Sequence, residues 1–190
     1  LVAGDGTPSG VLVVDVSEPA SPEHRAFHAT EYGIHNCDLA DGRAYLTVDY
    51  SGGRLDVLDV SGEPTRIGYW SLAERDPAWD GVPNSSRDVH DAFVQDGTAY
   101  LAHWDAGTWL VDVSDPADAT AIAHIGREPE AITEQYDEGA DGYTSLPGNA
   151  HYAAVDDDAS LLAVGREARA SDELPDGGPG GIDLYGVADP

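Results

Sequence analysis

The sequence predicts an all-β protein made of tandem four-stranded antiparallel units, and three observations carry that reading. One is a recurring phrase: Gly10-Val-Leu-Val-Val-Asp15-Val-Ser-Glu-Pro19 aligns with residues 107–116 and 181–190, and a longer copy covers 53–64. The second is a phrase that precedes the later copies. His35-Asn-Cys-Asp-Leu-Ala-Asp41-Gly42 matches His90-Asp-Ala-Phe-Val-Gln-Asp96-Gly97, with a degraded third version from His151 through Asp157. The third is alternation at period two, as in His90, Ala92 and Val94, which suits half-buried strands. Tandem units of this kind predict a β-propeller of four-stranded blades, here a partial ring of about four. A linear β-solenoid fits less well, because its repeats are shorter and its strands parallel.

Each element follows from local chemistry. Asp41-Gly42 and Asp96-Gly97 are hairpin turns, because glycine reaches positive φ at little cost. They lead into second strands at 44–48 and 99–104. A glycine-containing turn then gives the Leu-Val-Val-Asp strand, which stops at Ser-x-Pro because proline has no amide hydrogen for the ladder. Outer strands are expected at 24–30, 65–71 and 119–125. Asp15, Asp59 and Asp112 are expected to cap the Ser-x-Pro turns by side-chain to backbone bonds. Residues 1–3 resemble the end of a second strand, so the units read as three, four, four and three strands. The chain is then one propeller segment, 1–190, with a blade remnant at 1–34 and blades at about 35–71, 90–125 and 151–190. It is either a slice of a larger ring or a four-blade ring short of two strands. Histidine-to-histidine spacings of 55 and 61 residues exceed the roughly 40–50 of a typical blade. The excess falls in loops at 71–89 and 126–150, where 130–138 is the best helix candidate. Leu1 in place of Met is expected of a chain cut from a longer one.

Charge narrows the partners. The chain has 36 acidic residues against 9 basic ones, all arginine, for a net charge of −27, and 25 of the acids are aspartate. Such a polyanion is repelled by phosphate backbones and anionic headgroups, which argues against nucleic acid. No apolar run is long enough to span a bilayer. One cysteine, Cys37, excludes an internal disulfide and any paired-cysteine motif. It stands where Ala92 and Ala153 stand, so a small buried side chain is expected. With 41% apolar residues in organised runs the chain is not a disordered acidic tail. Aspartate excess without lysine resembles the composition of halophilic archaeal proteins.

The Leu-Val-Val-Asp-Val-Ser-x-Pro phrase resembles the LVIVD repeat of secreted or surface β-propellers in bacteria and haloarchaea. His35-Asn36 with Tyr45, Tyr50 and Gly53, together with Gly165-Arg166-Glu167 before a long insertion, is similar to a choice-of-anchor subgroup of that family. The subgroup more usually has Gly-Asp-Glu at the latter place. The resemblance implies a propeller at an extracellular or cell-surface location, and it leaves activity open.

Candidate chemistry concentrates where first strands begin. His35, His90 and His151 occupy equivalent positions and should face a common axis at one mouth of the channel, beside Glu167. Two readings stand open. Three imidazoles from separate blades would hold zinc or copper with an open coordination position, or each would cap its own blade through a backbone carbonyl. The loops supply Trp79, Arg87, His103, Asp105, Tyr136 and Tyr143, a set suited to a protein, peptide or carbohydrate ligand. Asp156-Asp157-Asp158 lacks the spacing of a calcium loop and reads as an acidic turn. Function is therefore expected to be that of a binding module, with a metal-dependent oxidoreductase or hydrolase as the alternative.

At molar salt the Debye length falls to about 3 Å and surface carboxylates hardly repel one another. The chain should therefore be folded in molar KCl and lose structure in dilute buffer, as read by circular dichroism. Changing ten exposed Asp residues to Asn should relax that requirement. Full cooperative stability in dilute buffer would remove salt adaptation as the reason for the acidity.

Overall fold

The computed structural model describes residues 2–4, 8–48, 53–139, 148–169 and 180–187. Within them lie four antiparallel sheets, each a meander in sequence order. The first holds β1 (Val2–Gly4), β2 (Gly10–Asp15) and β3 (Glu23–Ala29). The second holds β4 (Ile34–Ala40), β5 (Arg43–Val48), β6 (Arg54–Asp59) and β7 (Thr65–Ser71). The third holds β8 (Asp91–Gln95), β9 (Thr98–Ala102), β10 (Thr108–Asp112) and β11 (Thr120–Ile125). The fourth holds β12 (Asn149–Val155), β13 (Leu161–Glu167) and β14 (Gly181–Gly186). The expected pattern of three, four, four and three strands is observed, and the fold is all-β with propeller-like blades in a partial ring.

The turns form for the expected reasons. Asp41 and Gly42 have φ of 51° and 73°, and Asp96 and Gly97 have 50° and 78°, the two consecutive positive values of a tight hairpin. Asp59 accepts from Ser61 N and Oγ at 2.9 and 2.7 Å, and Asp112 from Ser114 at 2.9 and 2.6 Å. Asp15 accepts from Ser17 N at 2.8 Å and also holds Arg25. These bonds keep all three carboxyls below the usual carboxylate range, Arg25 being the largest influence at Asp15 and Ser61 and Ser114 at the other two.

Three differences from the expectations have local causes. The second strand of the third sheet ends at Ala102 instead of 104, because Trp104 turns to φ 43° and leaves the ladder. Segment 71–89 is a string of short turns: α1 (Leu72–Arg75), a 3-10 turn at Pro77–Gly81 capped by Asp76, and α2 (Asn84–Arg87). Cys37 is half-buried, unlike Ala92 and Ala153, because its sulfur sits at the margin of the apolar cluster it contacts. The helix expected at 130–138 is present as α3 (Pro129–Asp137).

Neighbouring sheets meet face to face and bury three apolar layers. Val11 of the first sheet packs with Ile34, Leu46, Val48 and Leu58 of the second. Tyr45, Val57 and Trp70 pack with Val94, Leu101 and Val111 of the third, closed over by Leu72, Trp79 and Ile132. Tyr100 and Leu110 pack with Ala153, Leu162 and Val164 of the fourth. The innermost strands β4, β8 and β12 follow one another along the arc. Polar side chains join them: Asn36 donates to Asp91, Val94 N to Asp38 at 2.7 Å, and Gln95 to the carbonyls of Asp156 and Asp157 at 3.1 Å each.

One close approach sets the outer spacing. A Cβ at Gly68 on β7 would stand 1.9 Å from the carbonyl oxygen of Pro116, in the turn after β10. Gly68→Ala should therefore separate the second sheet from the third and lower stability by about 1–3 kcal/mol, the usual cost of overpacking. A urea midpoint equal to that of the parent would contradict this contact.

Candidate functional site

The three repeat-opening histidines come together between the inner strands. His35 lies at a bulge in β4, where Ile34 and Asn36 pair with β5 and the residue between them does not. His151 lies at the equivalent bulge in β12, between Ala150 and Tyr152. A bulge frees one residue from the ladder and re-aims its side chain. His90 precedes β8, and its amide is tied to the carbonyl of Ala102 at 2.8 Å.

The rings form a column. The centroids of His35 and His90 are 4.3 Å apart, and those of His90 and His151 are 4.0 Å apart. Nε2 of His35 and Nε2 of His90 are 2.8 Å apart, and Nδ1 of His90 is 2.8 Å from the carbonyl oxygen of His151. A carbonyl only accepts, so His90 Nδ1 carries the proton. In neutral His90, Nε2 then has the lone pair and accepts from His35. Burial, with His151, His35 and Arg169 nearby, lowers the pKa of His90 to about 4. The middle ring is neutral at neutral pH, with both nitrogens in use.

Trp104 covers one side of the column. Its ring lies 4.1 Å from His90 and 5.6 Å from His151. Positive φ is unusual for so bulky a residue and costs on the order of 1–3 kcal/mol. Two bonds hold it: the Trp104 carbonyl accepts from Gly107 N at 3.2 Å and from Ala150 N at 2.9 Å. The second joins the third sheet to the fourth. Glu167, at the end of β13, places Oε2 3.4 Å from Nε2 of His151, and both side chains are about one-third exposed (38% and 34%).

Behind the column is a buried polar shell. His103 is fully buried; its Nδ1 donates to the Arg87 carbonyl at 2.8 Å and its Nε2 has no hydrogen-bond partner. Desolvation lowers its pKa to about 4. Arg87 is buried and donates to Asn84 at 2.9 Å. Asp88 accepts from Gly53 N at 3.2 Å. Asn149, 1% exposed, has neither amide atom partnered.

The candidates from sequence thus separate into two groups. His35, His90, His151 and Glu167 form the column and its edge, and Arg87, His103 and Asp105 are buried nearby. Trp79 is buried elsewhere, edge-on to Trp109 at 5.7 Å and His124 at 5.6 Å, and offers no binding surface. Tyr136 is exposed on α3, and Tyr143 lies outside the described residues. The blade-cap reading of the histidines fails for His90, which bonds to the next blade's carbonyl and not to its own. Among the described residues no group of three or more His, Cys, Asp or Glu is arranged to hold a metal ion. Ligation by His90 would break a bond at one of its two nitrogens. Asn149 and Trp104 were not singled out from sequence. Asn149 had a signal, since it and Asp88 both stand two residues before a repeat histidine.

Antiparallel blades packed in an arc around converging inner strands define a β-propeller-type repeat protein. The chain carries the LVIVD repeat: the model of that family matches residues 7–25 and 86–123, the first repeated phrase and most of the third sheet. No curated protein matches the chain. Among the described residues no helix is long and apolar enough to cross a membrane.

His90 and His103 bind protons less readily in the fold than in the unfolded chain, where imidazole titrates near ~6.5. The stability they contribute is complete above that value and is lost as pH falls toward about 4. At fixed molar salt the urea midpoint should therefore drop between neutral pH and about pH 4.5. His103→Gln, whose amide can still donate to the Arg87 carbonyl, should flatten that slope in part, His90 and the likewise depressed His124 supplying the rest. An unchanged slope would mean that His103 does not titrate as its burial requires.

Proposed function

We propose that the chain is a binding module that offers the mouth around His35, His151 and Glu167, backed by the buried Trp104, to a polar organic ligand, a peptide or a sugar, at a salt-adapted cell surface. The observation that carries this reading is the column itself. Three imidazoles stand in a column, two of them against the Trp104 indole, with His35 exposed and His151 and Glu167 partly so. Fixed ring faces beside a few oriented polar groups suit stacking and hydrogen bonding with a neutral or weakly cationic ligand. The net charge of −27 opposes a polyanion and supports salt adaptation. An extracytoplasmic setting is supported by the kinship of LVIVD repeats with surface propellers. The engaged nitrogens of His90 weigh against the metal-dependent enzyme.

Saturation-transfer NMR in molar NaCl, with one mixture of short peptides and one of short oligosaccharides, tests this. Transfer to one class is expected, reduced at least tenfold in His35→Ala and in Glu167→Gln variants that keep the parent's circular dichroism. Silence from both mixtures would overturn the binding reading. Stoichiometric zinc uptake that is lost in His90→Ala would replace it with the metal-dependent one.

A further inference from the structure

Arg87 is a buried cation without a counter-ion. It ends α2 and is 8% exposed, and its segment is pinned between the second and third sheets. The Arg87 carbonyl accepts from His103 Nδ1 at 2.8 Å, and the Ser86 carbonyl accepts from Ala106 N at 2.9 Å. From the other side Gly53 comes so close that a Cβ there would stand 2.3 Å from the Arg87 carbonyl oxygen. The guanidinium donates from Nη2 to Asn84 at 2.9 Å, while Nε and Nη1 are buried with no hydrogen-bond partner. Among the described residues no carboxylate lies within ion-pair distance of it. Asn149 is in a similar condition beside the same turn of the third sheet. Neither of its amide atoms is partnered, and the next residue, Ala150, bonds through its amide to the Trp104 carbonyl.

Other arginines of the chain are treated differently. Arg25 pairs with Asp15, Arg54 and Arg66 with Asp56, and Arg166 with Asp183, and none of these four arginines is buried. With 36 acidic residues against 9 arginines, a partner for Arg87 was not scarce. Its neighbour Asp88 instead accepts from Gly53 N at 3.2 Å. A guanidinium keeps its charge at every pH the fold survives, and a buried charge without an opposite one is costly. Water would satisfy the two N–H groups but brings no opposite charge. Burial holds the adjoining His103 ring neutral, so Arg87 presents a single positive charge. One positive charge matches one negative charge. The net charge of −27 repels multivalent anions most strongly, and at molar salt a Debye length of about 3 Å lets a small monovalent one approach.

We propose that Arg87 is the receiving group of a site for one small monovalent anion, chloride or the carboxylate of a small organic acid, bound at Nε or Nη1. The site is independent of the mouth around His35 and does not rest on what that mouth binds. An anion held there ties α2 to the third sheet, so salt stabilises the fold by occupancy as well as by screening. Crystals of the chain grown in molar KBr test this directly. Anomalous scattering at the bromine edge should place a bromide within hydrogen-bonding reach of Arg87 Nε or Nη1. Potassium acetate added at equal ionic strength separates the two sources: a bromide peak that fades admits carboxylates, and one that persists restricts the site to halide. In solution, the protein-dependent broadening of the chloride NMR line in molar KCl should be largely lost in Arg87→Gln. It should be retained in part in Arg87→Lys, which keeps the charge, both variants being compared at the parent's circular dichroism. If neither variant folds, the parent crystal decides alone. Water alone at the guanidinium overturns the proposal, as does an Asp88 or Asp105 carboxylate turned onto it. Broadening unchanged in Arg87→Gln overturns it too, and so does bromide in the crystal with no broadening in solution, which would mean an adventitious ion only.

Discussion

A β-sheet with two apolar faces is stable only when both are covered, and this constraint shapes the molecule. Adjacent sheets are separate hydrogen-bonded units. What joins them is the burial of Val11, Val57, Leu110 and their partners, at roughly 25 cal/mol for each Å² removed from water. Leu72, Trp79 and Ile132 from the connecting turns and α3 extend the middle layer outward. Each sheet therefore depends on its neighbour, as repeat units do that cannot bury an apolar face alone.

Where the inner strands converge, the joints become polar. Asn36 to Asp91, Asp38 to Val94, His90 to the His151 carbonyl and Gln95 to Asp156 each cross from one sheet to the next. The histidine column belongs to this series as much as to any binding surface. Its middle member holds the third and fourth sheets together, and its outer members are accessible. Asp56 ties the linker before β4 to the second sheet: it is fully buried on β6 and held by Tyr32 of that linker and by Arg54 and Arg66 of its own sheet. Burial raises the Tyr32 pKa, so the phenol keeps the proton it donates to Asp56.

Much of the architecture could be read in the residues because it rests on short-range rules. Period two, Asp-Gly turns and the Asp-x-Ser cap act within a few residues, so strand order and the turns at 41–42 and 96–97 were legible. The convergence of three histidines also followed, from their equal offsets of six residues to Asp41, Asp96 and Asp157. Their proton arrangement was hidden, because it depends on the His151 carbonyl, a backbone atom of another sheet. The bulges at His35 and His151 were hidden too, since they are defined by pairing with β5 and β13. Trp79 was misplaced for a related reason. An aromatic residue in a predicted loop looks available, and only the packing of that loop on Trp109 and His124 buries it.

The capped aspartates divide the two ends of the arc. In an antiparallel meander the turns after the first and third strands fall at one end, and the turn after the second falls at the other. Asp41, Asp96 and Asp156 therefore share an end with Asp15, Asp59 and Asp112, while the histidine column sits at the opposite end. Serine and arginine bonds hold three of those carboxyls in the charged form well into acid. Backbone bonds to Leu161 and Ser160 do the same for Asp156. One rim is thus a belt of carboxyls held in the charged form, and the other carries the histidine column with Glu167 at its edge. That rim therefore keeps its charge through the acid range in which ordinary carboxylates discharge, so acid neutralises the rest of the surface first.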